Sequence, residues 1–185
     1  MALCQIGPFA PRAAITRLLL PGLALCLAWI GRADAQSIGC VMQATAAPPR
    51  QVLRCHDGLT VEAEAGADFG LVDQNRDARP DAIDLRSRAV LVDAPATPGR
   101  RSFQVRTPQA IAAVRGTQWA VDVAGGRTSV FVVAGRVSVR RTRGGPGSVT
   151  LSPGEGVDVE VGTAPLVVRR WPAARASALL ARFGR

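Results

Sequence analysis

The 185-residue sequence has no lysine and no tyrosine, and it carries a single histidine. Arginine therefore supplies all of its basic side chains. With His56 as the lone imidazole and no G-x-S-x-G around a serine, a hydrolase triad has no members to draw on. No P-loop or dinucleotide fingerprint occurs. Glu62 and Glu64, two apart, would share one strand face and could be imagined as a glycosidase pair, but adjacent carboxylates on a strand are ordinary surface chemistry. Two cysteines and one histidine do not complete a four-ligand zinc site. Aromatic residues are only 4% of the chain, and none interleaves with the arginines as single-stranded nucleic-acid binding requires. Helical periodicity is missing from residue 59 to residue 161. These gaps point away from an enzyme and away from nucleic acid.

The first 35 residues have the parts of a secretory signal. Arg12 and Arg17 precede an apolar run at residues 18–30, and Ala33-Asp34-Ala35 offers an A-x-A cleavage site. The run is short for a membrane span, which needs about 20 apolar residues. Export to the periplasm or the extracellular space is the expectation, with residues 36–185 left as one domain's worth of chain. Cys4 and Cys26 would leave with the signal. Cys40 and Cys55 then form an even pair in an oxidising compartment and are expected to make one disulfide. It would tie an irregular lead-in, residues 36–58, that holds Ala46-Ala47-Pro48-Pro49.

Charge is segregated. From Asp57 to Asp93 there are nine acids against four arginines, and from Ala94 to Arg185 fourteen arginines against four acids. The basic half suits an acidic partner, an anionic lipid or a polyanion. Within the acidic half, Asp73, Asn75, Asp77, Asp81 and Asp84 fall at positions one, three, five, nine and twelve of a calcium-type loop. Ala78 stands where such a loop wants glycine, and Asp84 is shorter than the usual glutamate. A solvated turn rich in Asx residues is the alternative reading.

From residue 59 onward, short runs alternate apolar and polar with β-branched residues, the mark of half-buried strands. Residues 59–63, 89–92, 103–106, 110–114, 118–123, 128–133, 136–140, 148–151 and 157–161 are read this way. Trp119, Val121 and Val123 share one face. Ala124-Gly125-Gly126 and Ala134-Gly135 are expected to join neighbouring strands as hairpin turns. The spacing predicts an all-β domain over residues 59–170, a sandwich, barrel or β-solenoid of short strands and stacked hairpins. Residues 171–185 are expected to form a C-terminal α-helix behind Pro172, with Leu179, Leu180 and Phe183 on one face. That helix would either cap one end of the β core or lie as a basic amphipathic helix on a membrane or partner.

The run Phe103-Gln104-Val105-Arg106-Thr107-Pro108-Gln109-Ala110, followed by Val114-Arg115-Gly116-Thr117-Gln118-Trp119-Ala120-Val121, resembles the FecR domain family. Its pattern V-x-T-P-x-A … V-x-G-T-x-(aromatic)-x-V continues into Gly135-Arg136-Val137-Ser138-Val139 and Leu151-Ser152-Pro153-Gly154-Glu155. The likeness runs over residues 90–161. Thr107, Pro108, Gly116, Thr117, Trp119 and Gly135 are its motif residues. Proline keeps Thr107 extended, Gly116 permits a turn or close approach, Thr117 can bond nearby backbone, and Trp119 supplies buried area and an indole N–H that needs a partner. None is a nucleophile or base. The resemblance implies a β-helix-like or twin-layered β fold, a stack of short strands and hairpins with the C-terminal helix beside it, that binds and relays or scaffolds, without catalysis and with an envelope protein as partner. A structural envelope protein that grips cell-wall polymer or anionic lipid through arginines, with or without calcium, is the alternative.

Overall fold

Alternating residues can bury only one face of a strand, so a chain of such strands must fold one sheet onto another. The computed structural model, which describes residues 38–96, 102–143 and 147–185, shows that arrangement. The proposed signal at residues 1–35 lies outside the described residues. Among those described, no helix is long and apolar enough to cross a membrane.

The strands are β1 (Cys40–Ala46), β2 (Pro49–Cys55), β3 (Thr60–Glu64), β4 (Asp68–Val72), β5 (Ala82–Ala94), β6 (Phe103–Arg106), β7 (Ala110–Val114), β8 (Thr117–Ala124), β9 (Arg127–Ala134), β10 (Val137–Arg141), β11 (Ser148–Leu151), β12 (Glu155–Glu160) and β13 (Arg169–Arg170). The helix α1 (Ala173–Ala181) ends the chain. One layer, sheet A, runs β1-β2-β3-β5-β8-β9-β12-β13, and the other, sheet B, runs β4-β5-β6-β7-β10-β11. All pairs are antiparallel except β5 with β6. Strand β5 belongs to both layers: residues 82–87 pair in sheet B and residues 88–94 in sheet A. It turns the corner at Arg88, whose φ is +64°.

The facing sides close one core. Val61, Val92, Trp119, Val121 and Val130 of sheet A pack against Ile83, Phe103, Val105, Val114 and Val139 of sheet B. This is an all-β fold with a C-terminal helix, as the spacing predicts, and of the two folds that the resemblance implies it is the twin-layered one. Trp119, Val121 and Val123 do share the inner face.

Two expectations are corrected. The described residues of the 36–58 segment are not an irregular lead-in. From Cys40 to Cys55 they form a hairpin whose seven paired positions bring Cys40 opposite Cys55. Its strands escape a periodicity search because β1 is at the sheet edge and four of its residues in a row are exposed. The second correction concerns Ala134-Gly135. It does not join paired strands: β9 pairs with β8 and β12, whereas β10 pairs with β7 and β11. It carries the chain from sheet A to sheet B. The turn at Ala124-Gly125-Gly126, by contrast, does close the β8–β9 hairpin.

Candidate functional site

The motif residues build the corners of the sandwich. Between β6 and β7, Thr107 is buried and its amide donates to the Ala110 carbonyl at 2.8 Å. Its hydroxyl accepts from the Ala110 amide at 2.8 Å and meets the Thr128 hydroxyl of β9 at 2.7 Å, and Thr128 donates to Gln109 Oε1 at 2.8 Å. Pro108 sits in this turn without needing a donor. The cluster ties sheet B to sheet A with every hydroxyl engaged, as buried polar groups require.

Gly116 and Gly135 form the other corner. At Gly116 the chain crosses from β7 in sheet B to β8 in sheet A, and at Gly135 it returns. Both have positive φ, +67° and +84°. A Cβ on Gly135 would stand 2.6 Å from the Gly116 carbonyl oxygen and 2.7 Å from the Thr117 hydroxyl oxygen. Thr117 donates that hydroxyl to the Arg136 carbonyl at 3.0 Å. Gly135→Ala is therefore expected to destabilise the fold by about 2 kcal/mol, from the left-handed backbone and the overlap together. Urea unfolding measures it, and an unchanged midpoint would contradict the nested corner. Trp119 is fully buried, edge-on to Phe103 with ring centroids 6.2 Å apart. Its indole N–H, expected to need a partner, has none among the described residues.

The outer face of sheet A carries the charge. Glu62 and Glu64 of β3 do share that face, and both are engaged by arginine. Arg50 Nε donates to Glu62 at 2.8 Å and Arg185 also reaches Glu62. Arg182, which follows α1 as its C-terminal cap, bonds Glu64 and lies 3.1 Å from Asp122 of β8. Arg175 grips Asp158 of β12 with two bonds of 2.6 and 2.9 Å and lies 3.6 Å over the Trp171 ring. Beneath this ladder Leu179 and Phe183 pack with Ala89, Leu91, Ala120 and Phe131. The helix thus covers a sheet face, not an end of the core, and its arginines point to the protein's own acids.

Burial alone would raise the Asp158 carboxyl. Hydrogen bonds from Arg175 and Ser129, with the charges of Arg175 and Arg127, outweigh it and hold the group below its ordinary value. Burial would likewise lower Arg182, but Glu64 and Asp122 raise it instead. The Asp158 proton affinity is lower in the folded state, so its contribution to stability is complete above the unfolded value near about pH 4 and is lost as pH falls through the folded value. Urea unfolding between about pH 5 and 2.5 is expected to show that loss, and Asp158→Asn to remove this share of it. An identical pH profile in the variant would refute the link.

Sheet B presents an outer face not covered by a helix among the described residues. The register aligns Asp84, Arg106, Ile111, Arg140 and Ser148 across β5, β6, β7, β10 and β11. The row carries two arginines, Arg106 and Arg140, against one acid, Asp84.

The acidic loop between β4 and β5 is an Asx-rich turn. One Asp73 oxygen accepts from the Arg76 and Asp77 amides at 2.7 and 3.3 Å, and the other from the Ala78 amide at 2.9 Å. Asp77 accepts from Asn75 Nδ2 and the Arg79 amide, and Asp81 from the Gln74 amide. Asp84 sits within β5. The carboxylates face backbone donors, and among the described residues no group of three or more acids, histidines or cysteines is placed to hold a metal ion. Arg76 and Ala78 take the positive φ, +59° and +62°, that a glycine would have eased.

Cys40 and Cys55 are bonded as expected. No sequence signal pointed to the Thr107–Thr128 contact or to the pairing of α1 with β3.

Comparison with known proteins agrees with this architecture. Two crystal structures of a candidate anti-sigma factor from Parabacteroides distasonis ATCC 8503, at 1.65 and 2.50 Å, superpose with a TM-score of 0.57. They are 20% and 19% identical, and the match covers 76% of this chain and 64% of theirs. At that identity the likeness establishes the fold. The chain thus spans less than two thirds of the length of the solved chains. No curated protein matches it. The family model described as FecR protein matches residues 43–138, from β1 to β10. The match starts well upstream of residue 90, because the hairpin and β3 to β5 are part of the same sandwich. With more than half of its length matched, and with the motif residues at the corners of that sandwich, the chain belongs to the FecR family.

Proposed function

We propose that this protein is an exported, non-catalytic FecR-type module that signals or scaffolds by binding a protein partner in the bacterial envelope. One observation carries the reading: the family's motif residues are spent on corners and buried hydrogen bonds, and the paired carboxylates Glu62 and Glu64 are held by arginines. What remains for function is surface. The fold neighbours described as a candidate anti-sigma factor support a regulatory role. Affinity capture after crosslinking in intact cells, followed by identification of the captured envelope protein, tests it. One specific protein is expected, and capture of none after efficient crosslinking would defeat the proposal.

The uncovered row on sheet B favours a second reading, in which Arg106 and Arg140 hold an anionic lipid or cell-wall polymer. Sedimentation with phosphatidylglycerol vesicles and with peptidoglycan at low salt distinguishes it. Binding should fall at least tenfold in the Arg106→Ala/Arg140→Ala variant; no binding at low salt removes this reading.

A further inference from the structure

We infer that the outer face of sheet A is a docking site for a basic amphipathic helix of a protein partner, and that α1 closes this site in cis. This rests on the protein-binding reading above.

The face has two chemistries side by side. An apolar strip of Ala89, Leu91, Ala120 and Phe131 crosses β5, β8 and β9. Along it stand Glu62, Glu64, Asp122 and Asp158, one or more on each of β3, β8 and β12. Most of this face lies within the family-matched segment, whereas α1 lies beyond its end at residue 138. The arrangement of α1 on it defines the complement: leucine and phenylalanine at helical spacing toward the strip, arginines toward the acids.

The fit of α1 leaves room. Along its flank, from Trp171 to Arg182, a cavity is lined by Asp122, Arg127, Ser129 and Arg175. Past its last turn, next to Arg185, a second cavity is lined by Arg54, Thr60, Leu91, Asp93 and Gln118. A longer helix with larger side chains on that flank would fill both.

The hold on α1 is also weak for its role. A helix of this length is marginal alone. Pro172 at its start makes no side-chain cap, and no acid stands in its first turn. The ion pairs of Arg175 and Arg182 are partly exposed and therefore screened by salt. Residues 161–168 lead to it without regular structure, and its backbone attachment to the sheet is short, the two-residue β13 and the Trp171 amide, which donates to the Gly154 carbonyl at 3.0 Å. A partner helix with more apolar and more arginine contacts has the same site to compete for.

The test uses the whole protein and a fluorescein-labelled peptide with the sequence of residues 171–185. Leu179→Asp puts a carboxylate under α1 and is expected to undock it. The peptide should then bind this variant at least tenfold more tightly than the unmodified protein, and binding should weaken as salt rises from about 0.05 to 0.5 M. Adding Glu64→Gln and Asp122→Asn should abolish it. If Leu179→Asp loses its β-sheet circular dichroism, Arg182→Glu, which breaks the ladder contacts and sets a carboxylate against Glu64 and Asp122 while leaving the apolar strip unchanged, replaces it. Equal binding to unmodified and undocked protein, or none to a folded undocked variant, overturns the inference. Because the probe comes from this chain, the outcome does not depend on finding an envelope partner. Tight peptide binding with no captured envelope protein would instead count against the proposed function.

Discussion

Trp119→Ala is expected to destabilise the protein by about 3–5 kcal/mol, the range for deleting a fully buried large aromatic. The indole is completely covered and lies between the layers, edge-on to Phe103 and in the same core as Val92, Val121 and Val132. Its removal leaves a cavity bounded by both sheets, which rigid backbones cannot close. Trp119→Phe sharpens the test. The indole N–H is buried and has no partner among the described residues, so the smaller ring sheds an unpaired donor while keeping much of the contact. It should cost markedly less than the alanine variant. Urea unfolding followed by circular dichroism gives both values. A loss below about 1 kcal/mol for Trp119→Ala would mean that the two layers do not share this core.

The second large effect is expected at the disulfide. Cys40→Ser/Cys55→Ser should lower stability by about 3 kcal/mol, the chain-entropy value for a loop of this size. The cysteines are 15 residues apart and stand directly opposite one another on β1 and β2, with both side chains buried. The effect should concentrate at the edge. Strand β1 pairs only with β2 among the described residues, so without the bond its amides should exchange with solvent far sooner than those of β8. Hydrogen exchange resolved by segment reads this directly. Equal protection of β1 in the variant and the parent would show that hairpin pairing alone holds the edge.

Much of the sandwich was legible because a half-buried strand writes its burial into alternate residues. The stretch at residues 103–106 matches β6, and those at 110–114 and 148–151 match β7 and β11. The strands that escaped share a cause. β1 has exposed residues where alternation would show, β4 is half-buried along most of its length, and the first half of β5 runs into a strand read as beginning only at residue 89. The motif residues were legible as structural groups because glycine before threonine and proline after threonine have few other uses. Their destinations were not. That Gly116 and Gly135 touch, or that Thr107 meets Thr128, follows from strands 20 residues apart being folded into opposite layers.

By itself the sequence determined that this chain is built of short strands with a helix behind Pro172, that Cys40 and Cys55 would bond, and that no catalytic constellation of familiar spacing is present. Those are local facts, set by period, by backbone freedom and by which side chains exist. Only the tertiary structure decided that Ala134-Gly135 is a crossing between layers, that β5 serves both sheets, and that Arg175 and Arg182 at the C-terminus belong to acids on β12, β3 and β8. Arg182 and Glu64 are 118 positions apart. Alternation tells a strand which face to bury but not which strand to lie beside, and the charge of a side chain does not name its partner until the chain has closed on itself.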